Sequence, residues 1–78
     1  MNSFHAHSAD VRMHLLVNGQ VLPIAQLGPN FLVLEKAAEH PPALADILVK
    51  VDGDEKRWTV RLPNGLQPHE KRVRIAKS

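Results

Sequence analysis

The sequence predicts a small all-β protein: a barrel or sandwich of five or six short antiparallel strands. Asn18-Gly19 and Asp52-Gly53 each separate two apolar runs, and such dipeptides suit the tight turns of β-hairpins. Apolar and polar residues alternate in several short segments, and no long helical pattern competes with them. With 78 residues and no cysteine, the chain is expected to form one domain with a modest core and no disulfide.

Residues 11–26 are predicted to form the first hairpin, after a flexible N-terminal tail at residues 1–10. With Asn18-Gly19 as a type I′ turn, cross-strand partners share a face, and one face becomes apolar. That face contains Met13, Leu15, Val17, Leu22 and Ile24. Pro23 lacks an amide hydrogen, which predicts that the second strand lies at a sheet edge or bulges there.

The middle of the chain continues with a short, fully apolar strand at Phe31–Leu34, which follows the turn signal Gly28-Pro29-Asn30. Residues 35–40 prefer helix locally, so a short helical turn or an irregular loop is expected there. Pro41-Pro42 ends it, because the residue before a proline is pushed away from the α region.

Residues 43–51 fit two patterns. Leu44, Ile47, Leu48 and Val51 have helical spacing, whereas Ala45, Ile47, Val49 and Val51 alternate as in a strand. The strand is favoured, because a hairpin about Asp52-Gly53 pairs Lys50 with Glu55 and Ile47 with Trp58. A last strand is predicted at residues 71–76, which completes a single β domain over residues 11–76.

The strand pattern also predicts a core. Its members are Met13, Leu15, Val17, Leu22, Ile24, Phe31, Val33, Ile47, Val49, Val51, Trp58, Val60, Leu62, Val73 and Ile75. Trp58 is the one tryptophan in the chain. If it is buried, Trp58→Ala is expected to be the most damaging single change, at about 3–5 kcal/mol.

Charge is unevenly distributed along the chain. Residues 1–55 carry three cations and seven anions, and residues 56–78 carry seven cations and one anion. Such asymmetry indicates either an anion-binding surface or two halves that pack with complementary charge. Alternation places four arginines outward, and they share one face if the last strand lies beside the Trp58 strand: Arg57, Arg61, Arg72 and Arg74. Asp46 is diagonal to Arg57 and Arg61 in the predicted pairing and would offset part of that charge.

No catalytic constellation is recognisable. The chain has no cysteine nucleophile, its serines lie near the termini, and its glycines fall at predicted turns rather than in a phosphate-binding loop. The spacing of His14, His40 and His69 matches no metal-ligand pattern, and Asp52-Gly53-Asp54 is typical of a hairpin tip rather than a calcium loop. The sequence therefore predicts no enzyme activity, no metal and no cofactor.

The function expected from these observations is a non-enzymatic protein–protein interaction module. It would bind a protein partner or a second copy as a homodimer, through an open strand edge or the arginine face. The alternative is a binder of nucleic acid or of a phosphorylated small ligand, such as a nucleotide, through Arg57, Arg61, Arg72 and Arg74. Without a secretory signal or a long apolar segment, a cytoplasmic location and no membrane contact are expected.

Overall fold

A computed structural model describes residues 10–78 of the chain. The strands are β1 (Val11–Val17), β2 (Gln20–Leu27), β3 (Phe31–Leu34), β4 (Ala43–Val51), β5 (Asp54–Leu62), β6 (Arg72–Arg74) and β7 (Ala76–Lys77). They form one antiparallel sheet in the order β6-β3-β2-β1-β4-β5-β7, which curls into a nearly closed barrel. The predicted all-β class is confirmed, with seven strands instead of five or six. The tail predicted at residues 1–10 lies outside the described residues except for Asp10. Over residues 10–78, no helix has the length and apolar character to cross a membrane.

Both dipeptide turns form as predicted. The central residues have positive φ, at 48° and 80° for Asn18 and Gly19 and at 50° and 91° for Asp52 and Gly53. A type I′ turn requires this conformation, which matches the twist of the flanking strands. Residues 43–51 are strand, paired with β5 along their whole length. The predicted pairs Ile47–Trp58 and Lys50–Glu55 are both present.

Of the two alternatives predicted for Pro23, the edge strand is wrong, because β2 lies inside the sheet between β3 and β1, and the irregular pairing beside Pro23 agrees with the other, a bulge. The register between β2 and β3 shifts between Ile24 and Gln26, so a β-bulge follows Pro23 directly. The Pro23 carbonyl still accepts a hydrogen bond from the Glu35 amide at 3.1 Å. The irregular ladder at this point accommodates a residue without an amide hydrogen.

The core occupies the inside of the barrel. On β3 the inward residues are Leu32 and Leu34, so the prediction of Phe31 and Val33 as core is wrong. Four apolar residues in a row show no alternation, and their pattern cannot reveal which pair faces inward. The buried residues are Leu15, Val17, Ile24, Leu32, Leu34, Ala45, Ile47, Val60, Leu62, Leu66, Val73 and Ile75.

Residues 35–40 contain no helical turn, contrary to one of the two expectations for this segment. Instead His40 and Leu66 exchange two backbone hydrogen bonds, from the His40 amide at 3.0 Å and from the Leu66 amide at 2.7 Å. This bridge seats Leu66 in the core, although its position among polar residues predicts a loop. The long-range bridge outweighs the local helix preference.

The last predicted strand is divided in two at Ile75. β6 pairs with β3, whereas β7 pairs with Val60 and Arg61 of β5. Ile75 is buried, and its amide donates to the Asn30 carbonyl at 3.1 Å. One short C-terminal segment therefore contacts both ends of the sheet and nearly closes the barrel.

Candidate functional site

The sequence predicts one face for four arginines if the last strand lies beside the Trp58 strand, and the structure separates them into two pairs. Arg57 and Arg61 lie on β5, whereas Arg72 and Arg74 lie on β6, which pairs with β3 rather than with β5. All four are exposed. Arg72 and Arg74 line one surface hollow together, Arg57 lines a second, and Arg61 lines a third. The first pair is the one that converges on a common space.

The Arg57 charge is neutralised within the fold. Its Nε and Nη2 atoms both lie 2.9 Å from Oδ2 of Asp46, and the Thr59 hydroxyl donates to Oδ1 of Asp46 at 2.7 Å. The Thr59 hydrogen bond, followed by the Arg57 hydrogen bond and charge, lowers the pKa of Asp46 below its usual value. This pair joins the acidic and basic halves of the chain. Arg61, by contrast, has a long hydrogen bond of 3.4 Å to the Lys77 carbonyl.

The Asp46 pair predicts a dependence of stability on pH. Because the folded-state pKa of Asp46 is lowered, its ionised form stabilises the fold above the unfolded value of about 4, and this contribution is lost as pH falls through the folded value. We expect the free energy of unfolding of Asp46→Asn to fall less than that of the unsubstituted protein between pH 7 and acid pH. Urea titrations across that range measure it. Thr59→Val removes the largest cause of the lowered pKa of Asp46, so the free energy of unfolding of this variant should also depend less on pH than that of the unsubstituted protein. Parallel curves for all three proteins would contradict the assignment.

The hollow shared by Arg72 and Arg74 has a volume of about 440 Å³ and opens beside β3 and β6. The Arg72 guanidinium carbon lies 4.2 Å from the centre of the Phe31 ring, a distance typical of a cation–π contact. The contact between Phe31 and Arg72 is not visible in the sequence, because these residues belong to distant segments that only the pairing of β3 with β6 brings together. The lining residues are Asn30, Phe31, Asn64, Gly65, Gln67, Glu70, Arg72, Val73 and Arg74.

A second feature is an exposed apolar surface at one end of the barrel, which we call the apolar end face. Register places Val11 opposite Val51, Met13 opposite Val49, and Trp58 opposite the core residue Ile47. The face therefore continues the core outward on β1, β4 and β5. Val11, Val51 and Trp58 are 50%, 38% and 41% exposed, and Met13 and Val49 are partly buried against the core. Its members are Val11, Met13, Val49, Val51 and Trp58.

The prediction that Trp58 and Val51 are core residues is wrong for this reason. Both side chains do point to the inward face, because Val51 and Trp58 lie an even number of residues from the buried Ile47 and Val60 on their strands. However, the ladder between β1 and β2 runs only as far as His14–Pro23, whereas the ladder between β1 and β4 continues to Val11–Val51. Within residues 10–78, β1 has no ladder to β2 beyond His14, and the inward side chains of Val51 and Trp58 remain exposed there.

β5 also presents a free edge. β7 pairs only with Val60 and Arg61, so none of the described strands adjoins residues 54–59 on that side. Antiparallel alternation directs the backbone groups of Glu55 and Arg57 outward along this edge. The Thr59 carbonyl also faces it and accepts a hydrogen bond from the Ser78 hydroxyl at 3.2 Å.

Within residues 10–78, histidine, aspartate and glutamate side chains form no group of three that could hold a metal ion. Asp52, at the predicted hairpin tip, accepts a hydrogen bond from the Asp10 amide at 3.0 Å. Comparison of the chain with protein-family models, with curated proteins and with solved structures found no match. The apolar end face and the hollow shared by Arg72 and Arg74, which we call the arginine hollow, are the features from which a function can be inferred.

Proposed function

We propose that this protein is a non-enzymatic interaction module that binds a second copy of itself through the apolar end face. The observation that carries the proposal is the exposure of Trp58 on a surface continuous with the core. Tryptophan is enriched among the residues that dominate binding energy, and a contiguous exposed apolar patch is a feature of interaction sites. Packing a second sheet against this face would cover Trp58, Val51 and Val11 together.

The size of the fold supports self-association. A 78-residue chain without disulfides has a core that supplies only a few kcal/mol of net stability. Within residues 10–78, Val11, Val51 and Trp58 remain exposed at this end of the barrel, so a second copy would supply a layer against them. Face-to-face sheets pack about 10 Å apart, with the side chains of both inner faces interdigitating.

The charges next to the apolar end face favour a second copy over a strongly charged partner. Asp54 and Lys56 lie on the same face of β5 as Trp58, because side chains two residues apart share a face. A two-fold dimer brings identical surfaces together. On this face of β5 each copy then offers one anion and one cation to its partner, which makes that strand self-complementary in charge.

A substitution at Trp58 tests the proposal. We expect Trp58→Thr to weaken the dimer at least about 30-fold, because removal of a central binding residue costs about 2 kcal/mol or more. Threonine suits an exposed strand position, so the fold should be retained. Sedimentation equilibrium over a wide range of protein concentration measures the dissociation constant.

Val21→Thr is the matched control. Val21 is 62% exposed and lies on the outward face of β2, away from the apolar end face. We expect its dissociation constant to equal that of the unsubstituted protein. A monomeric mass for the unsubstituted protein at millimolar concentration would overturn the proposal, as would equal weakening by the two substitutions.

A further inference from the structure

We propose that the hollow between β3, β6 and residues 63–70 binds a nucleotide. Arg72 would stack on the base, Arg74 would hold the phosphate, and the amide side chains would contact the edge of the base. The site is separate from the apolar end face, since it uses β3 and β6 rather than β1, β4 and β5. It therefore does not depend on self-association.

Arg72 is held in place before any ligand arrives. Its guanidinium covers one side of the Phe31 ring at 4.2 Å, and its backbone amide donates to Oε1 of Glu70 at 3.2 Å. The ring itself is confined by Gly28, where a β-carbon would overlap three of its atoms. A planar guanidinium that stacks on a ring leaves its other face free, and nucleic-acid bases stack on such faces.

Arg74 lies on the same outward face as Arg72, two residues further along β6, and opposite Phe31 in the register with β3. Side chains two residues apart on a strand are about 7 Å apart at their origins. This separation places a second guanidinium within reach of a group attached to a base that is stacked on Arg72. A guanidinium donates two parallel hydrogen bonds to phosphate, which fixes its orientation as well as its position.

The rest of the lining favours a nucleotide over a bare phosphate ion. Asn30, Asn64 and Gln67 all line the hollow, and amide side chains carry donors and acceptors together, as the edges of bases do. The Gln67 Nε2 atom donates to the Asn64 carbonyl at 2.8 Å, which fixes this side chain and leaves its oxygen free to accept. A volume of about 440 Å³ is within the range of sites for small organic ligands.

Glu70 determines how strongly the hollow attracts an anion. Glu70 lines the hollow together with Arg72 and Arg74, and the formal charges of these three residues sum to +1. Neutralising Glu70 should strengthen nucleotide binding, whereas neutralising Arg74 should weaken it.

Adenosine 5′-monophosphate is the probe, titrated into the full chain at low salt and followed by amide NMR shifts. Shifts are expected at residues 30–31, 64–67 and 72–74, with weaker binding of adenosine and of inorganic phosphate given separately. An oligodeoxyadenylate of five nucleotides distinguishes a site for nucleotides within a single strand from a site for free nucleotides. Tighter binding of the oligonucleotide indicates a nucleotide within a single strand, and tighter binding of the monophosphate indicates a free nucleotide. No shift in these segments with millimolar probe would overturn the proposal.

Three variants complete the test. Arg74→Gln is expected to weaken binding of the monophosphate at least about tenfold, and Glu70→Gln, which can still accept the Arg72 amide, to strengthen it about two- to fivefold. Arg12→Gln is the control for net charge, because Arg12 is an exposed arginine on β1, outside the hollow. It should change the affinity by less than about twofold. Equal weakening by Arg12→Gln and Arg74→Gln would show diffuse attraction of the anion and would also overturn the site.

Discussion

Ile47→Ala is expected to lower the free energy of unfolding by about 2–5 kcal/mol, the range for large-to-alanine changes at fully buried sites. Ile47 has no exposed surface and lies in the middle of β4, between Leu15 on β1 and Trp58 on β5. Its neighbours are held by two strand ladders, so they cannot collapse into the cavity. For a domain of this size the loss approaches the whole stability. Urea unfolding followed by circular dichroism measures it.

Trp58→Ala tests whether Ile47, and not Trp58, lies at the centre of the core. If tryptophan were the centre of the core, it would be the more damaging substitution. Because Trp58 is part of the apolar end face, its replacement should cost less than half as much as that of Ile47 when both are measured on dilute, monomeric protein. A larger loss at Trp58 would show that the end of the barrel is closed in solution.

Gly65→Ala is expected to destabilise the protein by about 2–5 kcal/mol. Gly65 has a φ of 62°, and a left-handed conformation costs a residue with a β-carbon roughly 1–2 kcal/mol. Gly65 is also buried, and the added carbon would overlap the His40 carbonyl oxygen, close to the backbone of Pro41 and Pro42. Overpacking against backbone adds about 1–3 kcal/mol, because the loop that carries the His40–Leu66 bridge must shift. The same urea experiment measures this loss.

Gly19→Ala separates the two contributions. Gly19 also has positive φ, at 80°, but a β-carbon there would meet no atom within 4 Å. Only the conformational cost of roughly 1–2 kcal/mol is expected. If the two alanine variants were equally stable, crowding at Gly65 would have no energetic effect, and the contact with the segment around His40 would be looser than the structure shows.

The two hairpins could be predicted from sequence because their determinants are local. Asn18-Gly19 and Asp52-Gly53 set the turn, the turn sets the register, and the register predicted the Ile47–Trp58 pair correctly. β3 shows where this reasoning fails. Its position was predictable from the preceding turn, but its inward face was not, because a uniformly apolar segment carries no period of two.

The burial of Trp58 and the arginine hollow could not be predicted from the sequence for a different reason. Whether an inward residue is buried depends on how far the neighbouring strands extend, and in the described residues the ladder between β1 and β2 stops at His14–Pro23 while β1, β4 and β5 continue. The arginine hollow needs the pairing of β3 with β6, which joins residues about forty positions apart. Alternation correctly placed Arg72 and Arg74 on the outside of the sheet. It could not show that Phe31 lies beside them.

The division of the last strand at Ile75 has a consequence for the order in which the chain folds. Hairpins β1–β2 and β4–β5 join neighbouring residues and can form within microseconds. The contacts of β6 and β7 close much longer loops, and they become favourable only after both ends of the sheet are in place. We therefore expect the pairing of residues 72–77 with both ends of the sheet, which closes the barrel, to be a late step of folding.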